Sequence, residues 1–375
     1  MPKAQVAVVG GGIIGLAHAY MAARRGTSVV LFERNERAQG ASIRNFGMIW
    51  PIGQPAGERL QLALRSREIW TEVIGETGLE IASTGSVHLA YQEDESAVIQ
   101  EFAESSAAHG YSCQWWTPDQ VLKQCPGVRR KGLIGGLWSD TELVVDPRRV
   151  ASLLPAFLSE RYGVQVRMGS AVQSIELPFV RTTQETWEVE RVVVCSGDDF
   201  HGLYPEVFAA SGMIKCKLQM MRTGVQPGGW QLGAALAAGL TLLFYPAFQT
   251  CEALPRLRQR IDAETPDYAL YGIHVMASQT PGGEITIGDS HEYGLDVSVF
   301  DKPRIDELIL AYLRRFLCLP EPGIVERWNG VYAKHPRLPY FTVSPAPGVR
   351  IVTGFGGAGM TLSFGAAEKT WSEWT

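Results

Sequence analysis

The stretch Gln5-Val-Ala-Val-Val-Gly-Gly-Gly-Ile-Ile-Gly15, together with the residues up to Glu33, decides the fold of this chain. The apolar run that ends at Val9 predicts a buried strand, and residues 13–25 have the pattern of a helix that stops at Gly26. A second apolar run, Ser28-Val-Val-Leu-Phe32, predicts another strand directly afterwards. Strand, glycine turn, helix and strand in this order predict a βαβ unit with parallel strands.

The glycines of this turn have the spacing that places a phosphate group against a helix N-terminus. Gly10 permits the tight turn, Gly12 lets the backbone approach a pyrophosphate, and Gly15 lets helix and strand pack closely. The first turn of the helix then faces the negative charge. Glu33 ends the second strand about twenty residues further on, where a carboxylate accepts hydrogen bonds from ribose hydroxyls. The sequence therefore predicts a dinucleotide site rather than a glycine-rich turn without a ligand.

Length and charge limit the remaining possibilities. The 375 residues, 46% of them hydrophobic, suffice for a large core and for two domains. With 34 basic and 39 acidic residues the net charge is -5, without a long run of one sign, so nucleic acid is not an expected partner. Six cysteines without CxxC spacing, and no cleavable apolar leader, predict reduced thiols and a cytoplasmic protein. No metal site is expected.

Residues 231–248, QLGAALAAGLTLLFYPAF, approach the length of a membrane span. Gly233, Gly239 and Pro246 argue against a continuous apolar helix. They favour a short helix that ends near Gly239, followed by a buried strand Leu240-Thr-Leu-Leu-Phe-Tyr245. A membrane span is therefore not expected.

The rest of the chain predicts an α/β fold in which one domain interrupts the other. Helices are expected at 55–77, 147–161 and 302–317, and strands at 163–167, 171–177, 190–197 and 350–354. We assign residues 1–50, 145–215 and 325–375 to a Rossmann-like domain that binds the dinucleotide and is assembled from discontinuous segments. Residues 51–144 and 216–324 are assigned to an inserted α+β substrate domain, built on a mainly antiparallel sheet.

Several further motifs carry a resemblance to a known family. Gly40-Ala-Ser42 follows Glu33, Val192-Val-Val-Cys-Ser-Gly197 ends a strand, and Thr353-Gly-Phe-Gly-Gly-Ala-Gly-Met-Thr361 precedes the last helix. With the first glycine turn, they make the chain resemble the D-amino-acid oxidase family of flavoproteins, which includes glycine and sarcosine oxidases. The resemblance covers most of the chain and implies FAD as the cofactor.

The resemblance also implies where FAD would lie. Gly356, Gly357 and Gly359 would bring backbone against the pyrimidine edge of the flavin, and the positive end of the following helix would stabilise the anionic reduced ring. Some sarcosine oxidases attach flavin through a cysteine before this motif, but residues 327–333 contain none, so FAD is expected to bind noncovalently. The implied cofactor contacts are Gly10, Gly12, Ile13, Ile14, Gly15, Glu33, Arg34, Ala41, Ser42, Gly47, Met48, Val172, Ser196, Gly197, Gly356, Gly357, Gly359, Met360 and Thr361.

The substrate pocket departs from the family pattern. Glycine and D-amino-acid oxidases have an arginine in W-x-G-x-R-P that clamps the substrate carboxylate, whereas this chain has Trp328-Asn-Gly-Val-Tyr332. Other candidates for binding an anion are Arg44 and the run Lys334-His-Pro-Arg337, and His291 lies near the position of a sarcosine oxidase histidine. The competing interpretations are that these arginine and lysine side chains are solvated and that the histidine has a structural role.

From these considerations Arg44, His291 and Tyr332 are the candidate catalytic residues. The candidate substrate contacts are Arg44, Asn45, Met48, Tyr245, Tyr271, His274, His291, Tyr332, Lys334 and His335.

A narrower resemblance concerns the substrate. The strings ASIRNFGMIWPIGQPAGE, LYGIHVM, TIGDSHEYG and YAKHPRLPYF are similar to a bacterial subgroup associated with aminophosphonate catabolism. This implies FAD-dependent oxidation of the C–N bond of a small anionic amine, such as 2-aminoethylphosphonate or its N-methyl derivative, with oxygen or another electron acceptor. A glycine, sarcosine or D-amino-acid oxidase, or a noncatalytic FAD-binding protein, are the alternatives.

Overall fold

The computed structural model describes residues 1–374, which form eighteen strands and eleven α-helices. The strands are β1 (Lys3–Val9), β2 (Val29–Phe32), β3 (Met48–Ile49), β4 (Ile81–Ala90), β5 (Cys113–Trp116), β6 (Gly135–Val145), β7 (Gln165–Arg167), β8 (Val172–Glu176), β9 (Phe179–Thr182), β10 (Thr186–Val194), β11 (Ile214–Val225), β12 (Ala235–Ala237), β13 (Met276–Gln279), β14 (Glu284–Gly288), β15 (Glu292–Gly294), β16 (Ile324–Lys334), β17 (Phe341–Ala346) and β18 (Val349–Thr353). The helices are α1 (Ile13–Ala23), α2 (Glu58–Thr77), α3 (Glu93–Ser106), α4 (Pro118–Gln124), α5 (Pro147–Tyr162), α6 (Pro205–Ser211), α7 (Gly239–Phe244), α8 (Leu254–Glu264), α9 (Pro266–Leu270), α10 (Pro303–Phe316) and α11 (Gly359–Glu373).

The first sheet is the predicted Rossmann-like unit. Its order is β17-β18-β10-β1-β2-β7, and the pairs β1–β10, β1–β2, β10–β18 and β2–β7 are parallel. The central strands are apolar on both faces because helices cover one side and a second apolar cluster covers the other. The register pairs Val9 with Val194 and Val194 with Ile351, so these strands end at the same edge. The predicted fold class is confirmed, including the parallel βαβ unit.

The second sheet is mainly antiparallel, as predicted. Its order is β15-β11-β14-β13-β12-β4-β6-β3, with β16 paired to β11 and β5 paired to β6, and the β12–β4 pair is parallel. β16 lies in this sheet, although the division made from the sequence placed residues 325–334 in the first domain. The domain boundaries themselves stay a proposal.

The prediction for residues 235–245 was wrong in its order of elements. Ala235–Ala237 form β12, between β4 and β13, and the helix α7 follows at Gly239–Phe244. Most of this segment is buried, so its apolar run has no polar face whose period could distinguish strand from helix. Among residues 1–374, no helix is both long enough and apolar enough to cross a membrane.

Candidate active site

A cavity of about 720 Å³ opens where the ends of β1, β10 and β18 approach the second sheet. One end is lined by the glycine turn after β1, and the other by aromatic and titratable side chains of the second sheet. Its size lies in the range of small-molecule and cofactor sites.

The glycine turn after β1 cannot accept side chains. Gly10 has φ +106°, and a Cβ there would lie 2.3 Å from the carbonyl oxygen of Cys195. A Cβ on Gly15 would lie 1.8 Å from the carbonyl oxygen of Gly10. Both contacts are far inside van der Waals distance, so the close approach of α1, β1 and β10 depends on glycine.

Two side chains fix the shape of the turn. A carboxylate oxygen of Glu33 accepts a hydrogen bond from the Gly11 N–H at 2.8 Å, and its second oxygen accepts from the Asn35 N–H at 3.0 Å. The Ser42 hydroxyl accepts from the Ile13 N–H at 2.8 Å. A carboxylate can accept about four hydrogen bonds, so Glu33 retains capacity for a ribose hydroxyl.

The glycine motif before α11 leaves open space in the cavity. A Cβ on Gly359 would meet no atom within 4 Å, and the nearest atom to a Cβ on Gly357 is the Tyr332 hydroxyl oxygen at 3.7 Å. The protein itself therefore does not require glycine at these two positions, and the open space fits a flat ring that would lie against the backbone. The first turn of α11 brings its positive end to the same space, which fits an anionic reduced flavin.

The cavity brings together most of the residues that the sequence singled out. Those that line it are Gly10, Gly12, Ile13, Ile14, Glu33, Arg34, Ala41, Ser42, Arg44, Asn45, Met48, Val172, Ser196, Gly197, Tyr245, His274, His291, Tyr332, Lys334, His335, Gly356, Gly357, Gly359, Met360 and Thr361. Gly15, Gly47 and Tyr271 lie outside its wall. Gly47 has φ +74° and packs against the Val145 carbonyl, and the Tyr271 carbonyl accepts from the His291 N–H at 2.9 Å.

Asp289 is a titratable residue of the pocket that sequence reasoning missed. It directly follows β14, and its backbone N–H and C=O both bond to the backbone of His274, just before β13. The Asp289 Oδ1 atom lies 3.4 Å from His274 Nε2, and Oδ2 lies 3.8 Å from His291 Nε2. All three side chains are buried and line the cavity. The nearby string Gly288-Asp-Ser-His291 was the available signal, but only its histidine was selected.

The hydrogen-bond partners fix the protonation of His291. Its Nδ1 lies 2.9 Å from the carbonyl oxygen of Gly272, which can only accept, so Nδ1 carries the proton. Burial lowers the pKa of His291 to about 4 and lowers that of His274 well below its usual value. Both rings are therefore neutral near pH 7, and Nε2 of His291 is an acceptor that faces Asp289.

The electrostatics of Asp289 favour a positive ligand. Burial raises the pKa of its carboxyl well above the usual value, and its Oδ1 is buried without a hydrogen-bond partner. A cation placed between the carboxylate and His291 Nε2 would supply the missing charge and hydrogen bonds. The donor atoms of the three residues lie within 4.8 Å of one another, so either an ammonium group or a divalent metal ion suits the set.

Three of the groups expected to bind an anion, Arg44, Lys334 and His335, already have partners in the protein, while Arg337 lines the cavity. An Arg44 Nη1–H donates to the Asn329 carbonyl oxygen at 3.1 Å, and Lys334 Nζ lies 4.7 Å from the centre of the Tyr293 ring. The Nδ1 atom of His335 accepts from the N–H of Leu338 at 2.9 Å, so this ring shapes the turn after β16.

Two tyrosines form neutral, polar points on the wall. Burial raises the pKa of both Tyr245 and Tyr332 well above the usual value, which keeps both hydroxyls protonated. Tyr332 pairs with Cys216 across β11 and β16, and its ring lies 6.5 Å from that of His291. Tyr332 therefore does lie in the pocket, at the position where the family pattern has an arginine.

Comparison with known protein families gives one match over nearly the whole chain. A family model described as DAO, FAD dependent oxidoreductase, matches residues 5–371.

Individual relatives match shorter parts. Glycine oxidase of Geobacillus kaustophilus is 28% identical over 204 residues, which is 51% of this chain and 54% of the relative. Monomeric sarcosine oxidase of Bacillus sp. is 29% identical over 125 residues, 33% of this chain and 32% of the relative. The chain thus aligns with about half or less of the length of these curated relatives.

Solved structures share the fold over a greater length. Glycine oxidase of Bacillus cereus superposes with a TM-score of 0.77 at 20% identity, covering 98% of this chain and 93% of that one. L-proline dehydrogenase of P. horikoshii gives 0.78 at 20% identity, covering 100% and 94%. At this identity the likeness concerns the fold alone.

Proposed function

Because this chain belongs to the family of FAD-dependent oxidoreductases, we propose that it oxidises the C–N bond of a small anionic amine, by oxidative deamination or N-demethylation. The imine product is then hydrolysed by water to an aldehyde and a free amine or ammonia. FAD, when bound, supplies the two-electron oxidant that accepts hydride from the carbon next to nitrogen.

The observation that carries this proposal is the buried carboxyl of Asp289 beside two neutral histidines. A substrate ammonium group offers three N–H donors, and the cluster offers both Asp289 oxygens and His291 Nε2 as acceptors. A carboxyl in this position, with no lysine or arginine among residues 1–374 paired to it, suits a substrate that arrives positively charged.

Asp289 can also hold the proton that the substrate has to lose. The C–N bond is oxidised from the neutral amine, because its nitrogen lone pair forms the double bond of the imine. An arriving ammonium group favours the ionised carboxylate, whereas the buried site disfavours charge on both partners. Transfer of one proton from nitrogen to the carboxylate leaves a neutral amine and a neutral carboxyl, with the amine still held at His291 Nε2. Asp289 then acts as general base.

The anionic part of the substrate is proposed to be a phosphonate. Tyr332 replaces the arginine that clamps a carboxylate in the family pattern, and several cations, among them Arg59 and Arg337, line the cavity. We therefore favour 2-aminoethylphosphonate or its N-methyl derivative, with glycine, sarcosine and D-amino acids as the alternative substrates. Oxygen or another carrier would then accept the electrons.

Product analysis tests this proposal. Purified protein with FAD is incubated with 2-aminoethylphosphonate, and aldehyde and ammonia are quantified after a single anaerobic turnover. The proposal expects about one equivalent of each per bound FAD, since one flavin accepts one hydride. FAD reduction without aldehyde would refute C–N bond oxidation.

A further inference from the structure

The segment from Trp50 to Arg59 forms one part of the cavity wall and was not selected from the sequence. Its backbone is linked to α11, because the Trp50 N–H donates to the Thr361 hydroxyl at 2.9 Å. The buried carboxylate of Glu142 accepts from the Ile52 N–H at 3.0 Å and so fixes the short turn that follows. Trp50, Gln54 and Arg59 all line the cavity.

Arg59 carries a charge that the protein does not neutralise. Its side-chain hydrogen bond in the part of the chain that the structure describes runs from Nη2 to the Gln54 Oε1 atom at 3.2 Å, and its Nε is buried without an acceptor. Burial lowers the pKa of Arg59, and no neighbouring carboxylate raises it. Desolvating a guanidinium without an anion costs stability, so a ligand is the natural source of the missing acceptor.

A second arginine on the same helix shows the contrast. Arg65, six residues further along α2, donates two hydrogen bonds to the Glu368 carboxylate, at 2.8 Å from Nε and 2.7 Å from Nη2. This bidentate pair links α2 to α11, which is an ordinary structural use of arginine. Arg59 has the same fork of donors and lines the cavity, but no carboxylate among residues 1–374 pairs with it.

A neighbouring donor shares this environment. The indole Nε1 of Trp50 is buried and has no acceptor, in a residue that is 4% exposed. A buried indole N–H normally finds a partner. Arg59 and Trp50, which both line the cavity, thus each keep one N–H donor that has no acceptor among residues 1–374.

The aromatic wall connects this segment to the proposed amine site. The ring centre of His274 lies 4.8 Å from that of His291 and 5.7 Å from that of Tyr245, whose ring centre lies 6.2 Å from that of Trp50. Gly53 lets Tyr245 approach, because a Cβ at Gly53 would lie 2.6 Å from the tyrosine ring. A row of rings thus leads from His291, beside Asp289, to Trp50, and Arg59 lines the same cavity.

We propose that Arg59, assisted by the Trp50 indole N–H, binds the anionic group of the substrate while Asp289 binds its amino group. This rests on the proposed amine oxidation and specifies how the substrate is oriented. The substrate is then a zwitterion with its positive end at Asp289 and its phosphonate or carboxylate at Arg59.

The test compares Arg59→Gln and Arg59→Lys with the unaltered protein, each loaded with FAD. Ethylphosphonate, which has the anion but no amine, is titrated while the flavin absorption spectrum is recorded. Anaerobic flavin reduction is then measured with 2-aminoethylphosphonate and with propylamine, an amine without the anion. Arg256→Gln is the control, since the Arg256 side chain is 72% exposed.

The proposal expects Arg59→Gln to weaken ethylphosphonate binding and the apparent affinity for 2-aminoethylphosphonate by about tenfold or more, because a charge-assisted hydrogen bond is lost. Arg59→Lys should retain part of this affinity, and propylamine should respond equally in all variants. FAD affinity and the unfolding midpoint should not fall, since Arg59 has no carboxylate partner to lose.

Three results would overturn the assignment. In the first, Arg59→Gln and the unaltered protein bind ethylphosphonate with equal affinity. In the second, both Arg59→Gln and Arg59→Lys lose FAD or fail to fold. In the third, the unaltered protein does not bind ethylphosphonate. Failure of the proposed function is a separate result, because ethylphosphonate binding requires no oxidation. It would be seen as flavin that no amine reduces while ethylphosphonate still binds through Arg59.

Discussion

The carboxylate oxygen Oδ1 of Asp289 lies 3.4 Å from Nε2 of His274, and the backbones of these two residues exchange both of their hydrogen bonds. The pairing lies just beyond the β13–β14 ladder, whose last pair is Met276 and Gly288, so backbone hydrogen bonds at the end of the sheet fix where both side chains stand. A rigid support of this kind fixes the position of a carboxylate for proton transfer.

Replacing Asp289 by asparagine should lower the rate of anaerobic flavin reduction by about 100-fold, the usual contribution of a general base. Asparagine keeps the size of the side chain but cannot take a proton. The rate constant for reduction by 2-aminoethylphosphonate at saturating concentration measures the effect. Asp119→Asn, at a side chain that is 80% exposed, is the matched control.

The pH dependence of the same reaction gives a second readout. Asp289 accepts a proton only when it is ionised, and its pKa is raised above the usual 3.8, so the rate should increase as pH rises through that higher pKa. This acidic limb should vanish in Asp289→Asn. An unchanged limb in the variant would show that another group causes it.

Treatment with a chelator should leave the rate of flavin reduction unchanged. A lower rate after chelation would indicate that His274, Asp289 and His291 hold a metal ion instead of the substrate amine.

The open space at Gly359 leads to a specific prediction about the affinity for FAD. Gly359→Val should weaken FAD binding by about tenfold or more, because the added side chain enters the space that a flavin needs. The unfolding midpoint of the FAD-free protein should stay within the range of an ordinary surface substitution, since a Cβ at this position meets nothing within 4 Å. Fluorescence titration with FAD and thermal unfolding measure the two effects.

Gly163→Ala is the matched control, because a Cβ there also meets no atom within 4 Å but Gly163 lies away from the cavity. Its φ of +69° predicts a modest loss of stability with unchanged FAD affinity. Equal FAD affinity in Gly359→Val and the unaltered protein would contradict the placement of the flavin against this glycine motif.

The two ends of the pocket differ in how far the sequence could predict them. Gly15 is required by a backbone contact with Gly10 within one βαβ unit, so the spacing of these glycines identifies the turn. The role proposed for Asp289 can be recognised only after β13 and β14 pair and bring it beside His274. The role proposed for Arg59 can be recognised only after the structure shows that no carboxylate among residues 1–374 pairs with it. Tertiary pairing and the absence of a partner leave no local pattern in the sequence. A local pattern is also missing at 235–244, because burial removes the polar face, and this explains why the order of strand and helix was predicted in reverse.

A buried histidine outside the pocket should make the fold sensitive to acid. His18 on α1 donates its Nδ1–H to the Ile14 carbonyl oxygen at 2.8 Å, and among residues 1–374 its buried Nε2 has no partner. Burial lowers its pKa from 6.5 to about 4. Between these values the unfolded chain binds more protons than the folded one, so stability is present above pH 6.5 and falls as pH falls towards about 4.

His18→Leu should remove about 3 kcal/mol of this pH dependence, the equivalent of the pKa shift. The measurement is the free energy of unfolding by urea at neutral pH and at a pH of about 4. His109→Leu, at an exposed position, should retain the full dependence of the unaltered protein. Identical slopes for His18→Leu and the unaltered protein would rule out His18 as the source.

The most direct test of the central claim is anaerobic reduction of the bound flavin, followed by the loss of its visible absorption. The panel contains 2-aminoethylphosphonate, its N-methyl derivative, glycine, sarcosine and D-alanine, with dithionite to establish complete reduction. We predict rapid reduction by an aminophosphonate and slow or no reduction by the amino acids. Reduction by the carboxylates alone would contradict the phosphonate assignment, and flavin that only dithionite reduces would contradict amine oxidation itself.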